Sequence, residues 1–156
     1  MLMGTGADGQ VVALVQPAEM RQAEYWRAVL EERRARVEDE IAEQSAALAA
    51  CDGVRGIHRQ MERITDKRIE EFELDCLLRA LEHKFFPGRA KPAKPARCFD
   101  IEISRRGSWW SVQIPEVAGV AKASRRGGAE MVARAHIAAV IGIPIAEIAV
   151  QVVRES

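Results

Sequence analysis

The sequence lacks most of the features that would assign a chemistry directly. It has three cysteines in 156 residues, aromatic residues make up 5% of it, and its 23 basic side chains are balanced by 23 acidic ones. The widely spaced cysteines form no CxxC pair and no Cys/His cluster, which excludes a disulfide framework or a zinc site. We expect them to be small buried residues in a reducing compartment. Zero net charge provides no overall field to attract nucleic acid or a membrane surface.

Long apolar runs and phosphate-binding loops are also missing. No segment approaches the ~20 apolar residues that span a bilayer, so no membrane partner is predicted. The apolar run Val11–Val15 is too short for a signal peptide, and no basic residue precedes it. No Gly-rich loop follows a predicted strand, so no cofactor is predicted. We therefore expect a cytoplasmic protein.

The clearest pattern that is present runs from Phe99 to Pro115 and has a period of two residues. Apolar and polar residues alternate on both sides of a turn at 106–108, which predicts an antiparallel β-hairpin with one buried face. Neighbouring residues on a strand point to opposite faces, so Trp109 and Trp110 must lie on opposite sides of the sheet. The inward-facing residues are predicted to be Phe99, Ile101, Ile103, Trp110, Val112 and Ile114.

The charge of the chain changes where this pattern begins. Residues 1–86 hold 12 basic and 17 acidic side chains, residues 87–98 hold four basic and no acidic ones, and residues 99–156 hold seven and six. Prolines in the middle segment favour an extended chain without helix hydrogen bonds. The predicted parts are a flexible tail at 1–16, a helical hairpin at 17–86, a basic Pro/Ala linker at 87–98 and a small domain at 99–156.

The acidic part is predicted to be two long helices. The first runs from Pro17 to about Ala50 and the second from Ile57 to about Phe86, joined by a short glycine-containing turn, which is typical of an antiparallel, coiled-coil-like hairpin. The predicted apolar stripes are Trp26, Leu30, Val37, Ile41, Leu48 and Cys51 on the first helix, and Ile57, Met61, Ile64, Phe72, Cys76, Leu77, Leu81 and Phe85 on the second.

Both stripes are irregular. Arg33 and Gln44 occupy apolar positions of the first stripe, and the second stripe shifts phase near 67–69. Two such helices leave part of their apolar surface uncovered. We therefore expect residues 17–86 to form a homo-oligomer or to pack on the C-terminal part.

After the hairpin, the sequence predicts a third strand at Val120–Ser124, a helix at Ala129–Ile141 and a fourth strand at Ile148–Val153. Gly142 suits the position after the helix end, and Pro144 follows it. The order βββαβ, with one helix on one face of a small sheet, is an α+β arrangement. The inner face of the helix is predicted to carry Val132, Ala133, His136, Ile137 and Val140.

This C-terminal segment, Phe99–Val153, resembles the HicB-type antitoxin domain, which looks like a truncated ribonuclease H-like fold. The resemblance covers a little over a third of the chain. The residues that carry it are Gly107 with Trp109-Trp110, Ile114-Pro115-Glu116-Val117, Gly119-Val120, Glu130-Met131, and Ile141-Gly142-Ile143-Pro144 before the last strand.

The resemblance implies a non-enzymatic protein that binds and masks a small, basic, RNA-cleaving toxin. Members of the family often add a DNA-binding module. Residues 1–86, which contain the acidic hairpin, have a net charge of −5, which would repel DNA. The predicted partner surface is the outer face of the β-hairpin with its exit turn, comprising Trp109, Ser111, Gln113, Pro115 and Glu116.

Catalytic and metal-binding alternatives have less support in the sequence. Asp100 and Glu102 share a strand face, but a ribonuclease H-like site needs several converging carboxylates on two metal ions. His58, His83 and His136 have no partner at a catalytic spacing, so we interpret them as structural. No catalytic or metal-ligating residue is predicted.

Two other functions remain open at this stage. The long helices could form an oligomeric coiled-coil scaffold, with the small domain attached at its end. The chain could also bind RNA or DNA, with an affinity that falls steeply with salt. The basic residues for that function would be Lys91, Lys94 and Arg97 of the linker, with Arg105, Arg106, Arg125 and Arg126.

Overall fold

The computed structural model describes residues 16–88 and 96–156. Two long helices precede a four-stranded sheet and a shorter helix, which confirms the predicted α+β arrangement. The predicted tail up to residue 15 and the linker residues 89–95 lie outside the described residues. The elements are α1 (Pro17–Ala49), α2 (Val54–Phe85), β1 (Arg97–Arg106), β2 (Trp109–Ile114), β3 (Gly119–Ala123), α3 (Ala129–Ile141) and β4 (Ile148–Glu155).

The ends of α1 follow from local chemistry. Pro17 takes the first helical position, where its missing N–H costs nothing, and the backbone N–H of Gln16 donates to Glu19 Oε2 at 3.1 Å. At the other end the chain turns back through Gly53, whose φ of +90° is accessible to glycine. Residue 33 contacts residue 70 and residue 44 contacts residue 60, so the two helices run antiparallel.

The polar interruptions of the α1 stripe have polar partners on α2. Arg33 Nε donates to Glu70 Oε1 at 2.9 Å, and Gln60 Nε2 donates to the backbone carbonyl of Gln44 at 3.0 Å. The two helices also share a small apolar cluster of Val37, Ile41 and Leu74. The polar pairs therefore fix the alignment of the two helices, while the apolar cluster supplies burial.

Helix α2 has two buried faces, which accounts for the phase shift in its sequence. One face packs on α1, while Ile69 and Phe72 pack against the core of the C-terminal part. The guanidinium of Arg134, on α3, lies 5.0 Å from the centre of the Phe72 ring. The hairpin thus packs on the C-terminal part, one of the two predicted outcomes.

Several residues predicted to face inward on these helices are instead exposed. Trp26 is 49%, Ile57 43% and Leu77 55% exposed, because these side chains lie on parts of the two helices that no other described element covers. The prediction of buried cysteines is also wrong. Cys76 and Cys98 are exposed and Cys51 is half-buried.

The sheet has the strand order β3-β2-β1-β4. Neighbours β1–β2 and β2–β3 are antiparallel, whereas β4 runs parallel to β1 with a bulge opposite Ile101 and Glu102. Strand β1 begins at Arg97, two residues before its predicted start, because Arg97 and Cys98 pair with Ile148 and Ala149. The predicted linker therefore contributes its last two residues to the sheet.

The main core lies between one face of the sheet and α3. All five aliphatic and Phe residues predicted to face inward on the β-hairpin are buried, and Trp110 packs against them. From α3 the core receives Ala133 and Ile137, as predicted, while Val140 was wrongly predicted and is 42% exposed. Gly142 ends the helix with a φ of +73°, as its position indicated.

No helix within residues 16–88 and 96–156 combines the length and apolarity needed to cross a membrane.

Candidate interaction surface

The sheet has one covered and one open face. Helix α3 packs on the covered face, α2 packs on α3, and α1 packs on α2. On the opposite side, called here the outer face, Gln113, Lys122 and Gln151 are exposed to solvent. Among the described residues, no helix forms a packing layer on the outer face.

The two adjacent tryptophans divide between these faces, as strand geometry requires. Trp110 packs against the core. Trp109 lies half-buried on the outer face, where the Lys122 ammonium is 5.1 Å from its ring centre. A lysine side chain thus covers the Trp109 ring in part, in a cation–π contact that a binding partner could replace.

Strand pairing aligns the other predicted residues with Trp109. Ser111 lies between Ser104 on β1 and Lys122 on β3, and it is 5% exposed. Gln113 is two residues further along β2, where it pairs with Glu102 of β1, and it is exposed. The structure therefore brings Trp109, Ser111 and Gln113 into one row along the outer face.

Pro115 and Glu116 lie beyond the end of β2 in a short 3-10 turn, and both are exposed. Glu116 Oε1 accepts a hydrogen bond from the backbone N–H of Asp100 at 3.2 Å. This bond holds the Glu116 carboxylate beside Asp100, and Glu102 follows on the same face of β1. One end of the outer face is therefore acidic, while Trp109 and Lys122 mark the other end.

The structure shows different things of the basic residues considered for nucleic-acid binding. Lys91 and Lys94 lie outside the described residues, and Arg97 is exposed at the start of β1. Arg126 donates to both Glu155 oxygens, at 2.8 and 2.9 Å, and these bonds raise its pKa above the ordinary value. Its charge is therefore neutralised within the chain rather than presented to a phosphate.

A second feature escaped the sequence analysis because residues far apart in sequence form it. A cleft of about 370 Å³, called here the β3 cleft, lies between β3, α2 and α3. Its lining consists of His58, Met61, Glu62, Thr65, Asp66 and Ile69 of α2, Val120, Ala121 and Lys122 of β3, and Val132 and His136 of α3. The only sequence signal was Gly119, which the family resemblance had singled out without a physical reason.

The two histidines of the β3 cleft differ in environment. His58 is exposed and its Nε2 lies 3.1 Å from Glu62 Oε1. His136 is half-buried, and burial, followed by the proximity of His58, lowers its pKa below the ordinary value. The neutral form of His136 is thus favoured, so it interacts in the cleft as a hydrogen-bonding rather than a cationic group.

Across residues 16–88 and 96–156, no three His, Cys, Asp or Glu side chains converge in a way that could hold a metal ion. The chain matches no family model, no curated protein and no solved structure.

Proposed function

We propose that this chain is a non-enzymatic, antitoxin-like protein of the cytoplasm that binds and masks a small basic protein, such as an RNA-cleaving toxin. The observation that carries the proposal is the open outer face of the sheet. Trp109 lies on this face, while its neighbour Trp110 packs against the core on the other face. The element order βββαβ is the one on which the family resemblance rested.

Physical chemistry favours Trp109 as an anchor for such a partner. A tryptophan contributes a large apolar surface and an N–H donor, and tryptophans are enriched among the residues that dominate interface energies. Its ring is covered by the Lys122 side chain, which has many rotamers and can move aside. Docking would then bury the ring without disturbing the core, because Trp110 carries the core packing.

The charge of the outer face is consistent with a basic partner. Asp100, Glu102 and Glu116 supply three carboxylates at the end away from Trp109, against one cation there, Arg154, which lies opposite Glu102 on β4. A cationic protein could meet this acidic end while an apolar residue packs on Trp109. Complementary charges of this kind accelerate association and fix its orientation.

The test uses the product of the neighbouring reading frame as the candidate partner, and the proposal expects that product to be a small basic protein. Purified partner is incubated with a fluorogenic RNA, alone and with an equimolar amount of this chain. The proposal expects cleavage by the partner alone and suppression in the mixture. RNA cleavage by this chain alone, or undiminished cleavage in the mixture, would contradict it.

A coiled-coil scaffold is the second candidate, and it also has a specific observation in its favour. Tyr25 and Trp26, 63% and 49% exposed, form an edge-to-face pair with ring centres 5.5 Å apart, and Leu77 on α2 is 55% exposed. Exposed aromatic residues on a long helix are typical of an oligomer contact. Sedimentation of the full chain tests this, since Trp26→Ala should dissociate such an oligomer. A monomeric parent, or a Trp26→Ala variant with the same oligomeric state as the parent, would exclude the scaffold.

A further inference from the structure

We infer that the β3 cleft is a second binding site, which takes an extended segment of a partner protein with a lysine or arginine side chain directed into the cleft. Two observations carry this inference independently. One is the free edge of β3, and the other is the combination of apolar floor and acidic rim beside that edge.

The edge of β3 is open for strand addition. Strand β3 pairs with β2 on one side only, and its other side has no backbone partner among the described residues. Proteins usually protect such edges with charges, prolines or bulges. The opposite edge strand, β4, has a bulge together with Arg154 and Glu155, whereas β3 has Lys122 as its single charged residue.

The cleft beside this edge suits a long cationic side chain. Met61, Ile69 and Val132 provide apolar surface for an aliphatic stem. The carboxylates of Glu62 and Asp66 lie on the α2 side, and Asp66 has no ion pair within the described part of the chain. An incoming ammonium or guanidinium would therefore meet an unpaired carboxylate after its stem had been buried.

The cations already present do not neutralise this carboxylate. The Lys122 ammonium lies over the Trp109 ring, and the pKa of His136 is lowered, so its ring is held in the neutral form. His58 is engaged with Glu62. Strand addition gives affinity through backbone hydrogen bonds and specificity through pockets for alternate side chains, which is the combination present here.

This site is separable from the one proposed on the outer face. Trp109 is not among the residues that line the cleft, and Asp66 belongs to α2, on the opposite side of the sheet. Lys122 is common to both sites, because its side chain lines the cleft and its ammonium lies over the Trp109 ring, so Asp66 is the residue whose substitution reports on the cleft alone.

The experiment uses the full chain, labelled with ¹⁵N, and a capped heptapeptide of alternating valine and lysine as the probe. The inference expects saturable shifts of backbone amides in Gly119–Ala123 and around Asp66 and His136. Asp66→Asn should weaken binding by about two- to fivefold, as expected for one exposed ion pair. Glu73→Gln, at an exposed carboxylate elsewhere on α2, should leave the affinity unchanged.

Two control peptides test the stated chemistry. Replacing the lysines by glutamates should abolish the shifts, and N-methylation of alternate backbone amides should weaken binding at least as much as Asp66→Asn. The inference is overturned if no peptide binds, if either control peptide binds as well as the probe, or if Asp66→Asn has no effect. It is also overturned if β3 amides shift with protein concentration alone, since a second copy would then occupy the edge.

Discussion

The ring of His136 lies directly against the backbone of Gly119. A Cβ atom at residue 119 would be 2.6 Å from His136 Nε2 and 2.8 Å from Cδ2, closer than side chains pack. The glycine is therefore needed for space, since its φ is not in the left-handed region. This contact fixes the distance between α3 and the edge strand β3, and with it the width of the β3 cleft.

We predict that Gly119→Ala lowers the free energy of unfolding by about 1–3 kcal/mol, because the added methyl group forces the His136 ring or the β3 backbone to move. Chemical denaturation with parallel fluorescence and circular dichroism measures the change. Gly127→Ala is the matched control, since a Cβ there meets no atom within 4 Å, and it should change stability little. Equal losses in the two variants would contradict the contact.

We predict a component of stability that depends on pH through His136. Folding lowers the pKa of this ring below its ordinary 6.5, so the unfolded chain binds more protons between the two pKa values. The stability associated with the neutral His136 ring is therefore complete above pH 6.5 and is lost as the pH falls below that value. The ionisable groups facing the ring across the cleft are His58, Glu62, Asp66 and Lys122.

Denaturation midpoints between pH 5 and 8 measure this component. His136→Gln should flatten the dependence, whereas His83→Gln, which removes an exposed histidine of α2, should retain it. A proton NMR titration of His136 should give a midpoint below 6.5. A midpoint at or above that value would contradict the burial argument.

The sequence predicted the parts of this fold that depend on local periodicity. Alternation gave the inward face of the hairpin at Phe99, Ile101 and Ile103, and Gly142 gave the end of α3. It missed the pairing of Arg97 and Cys98 with β4, because both residues are exposed and only a strand distant in sequence orders them.

Features that depend on how elements pack together could not be predicted. The phase shift in α2 was apparent in the sequence, but its cause, the docking of α2 on α3, and the residues that this docking leaves exposed were not. Leu77 and Val140 lie outside the contacts made by their helices and are exposed. The β3 cleft was equally inaccessible to prediction, since Asp66 and His136 are 70 positions apart in the printed sequence and meet only after that docking.

The two tryptophans should differ sharply in their effect on stability. Trp110→Ala removes a ring that packs against the core and should cost about 3 kcal/mol. Trp109→Ala removes a ring on the outer face and should cost less than about 1 kcal/mol, mainly the cation–π contact with Lys122. Urea denaturation of the two variants measures both values, and similar losses would show that Trp109 is also part of the fold.

The alignment of the helical hairpin should depend on Glu70. Its Oε1 accepts from Arg33 Nε at 2.9 Å and its Oε2 from Lys67 Nζ at 2.9 Å, and these cations hold the pKa of its carboxyl below the ordinary value. Glu70→Ala should lower the free energy of unfolding by about 1 kcal/mol, since both pairs are partly exposed. Glu73→Ala, an exposed carboxylate on the same helix, should have a smaller effect.

The Glu70 contribution should also weaken at acid pH and high salt. Because folding lowers the pKa of the carboxyl, its stabilisation is present above the unfolded pKa and is lost as the pH falls through the folded value. The free energy of unfolding is measured for parent and Glu70→Ala in 0.05 M salt, where the ion pairs are little screened, and in 1 M salt, where they are strongly screened. A difference between parent and Glu70→Ala that is unchanged by salt would show that packing, rather than charge, is responsible.

The central claim is that the outer face of the sheet binds a small basic protein. The most direct measurement is calorimetric titration of the purified product of the neighbouring reading frame into the parent chain, Trp109→Ala and Tyr25→Ala. We predict saturable binding to the parent, a loss of at least about 2 kcal/mol of binding free energy for Trp109→Ala, and no loss for Tyr25→Ala. Parent-like binding by Trp109→Ala, or no binding by the parent, would contradict the account.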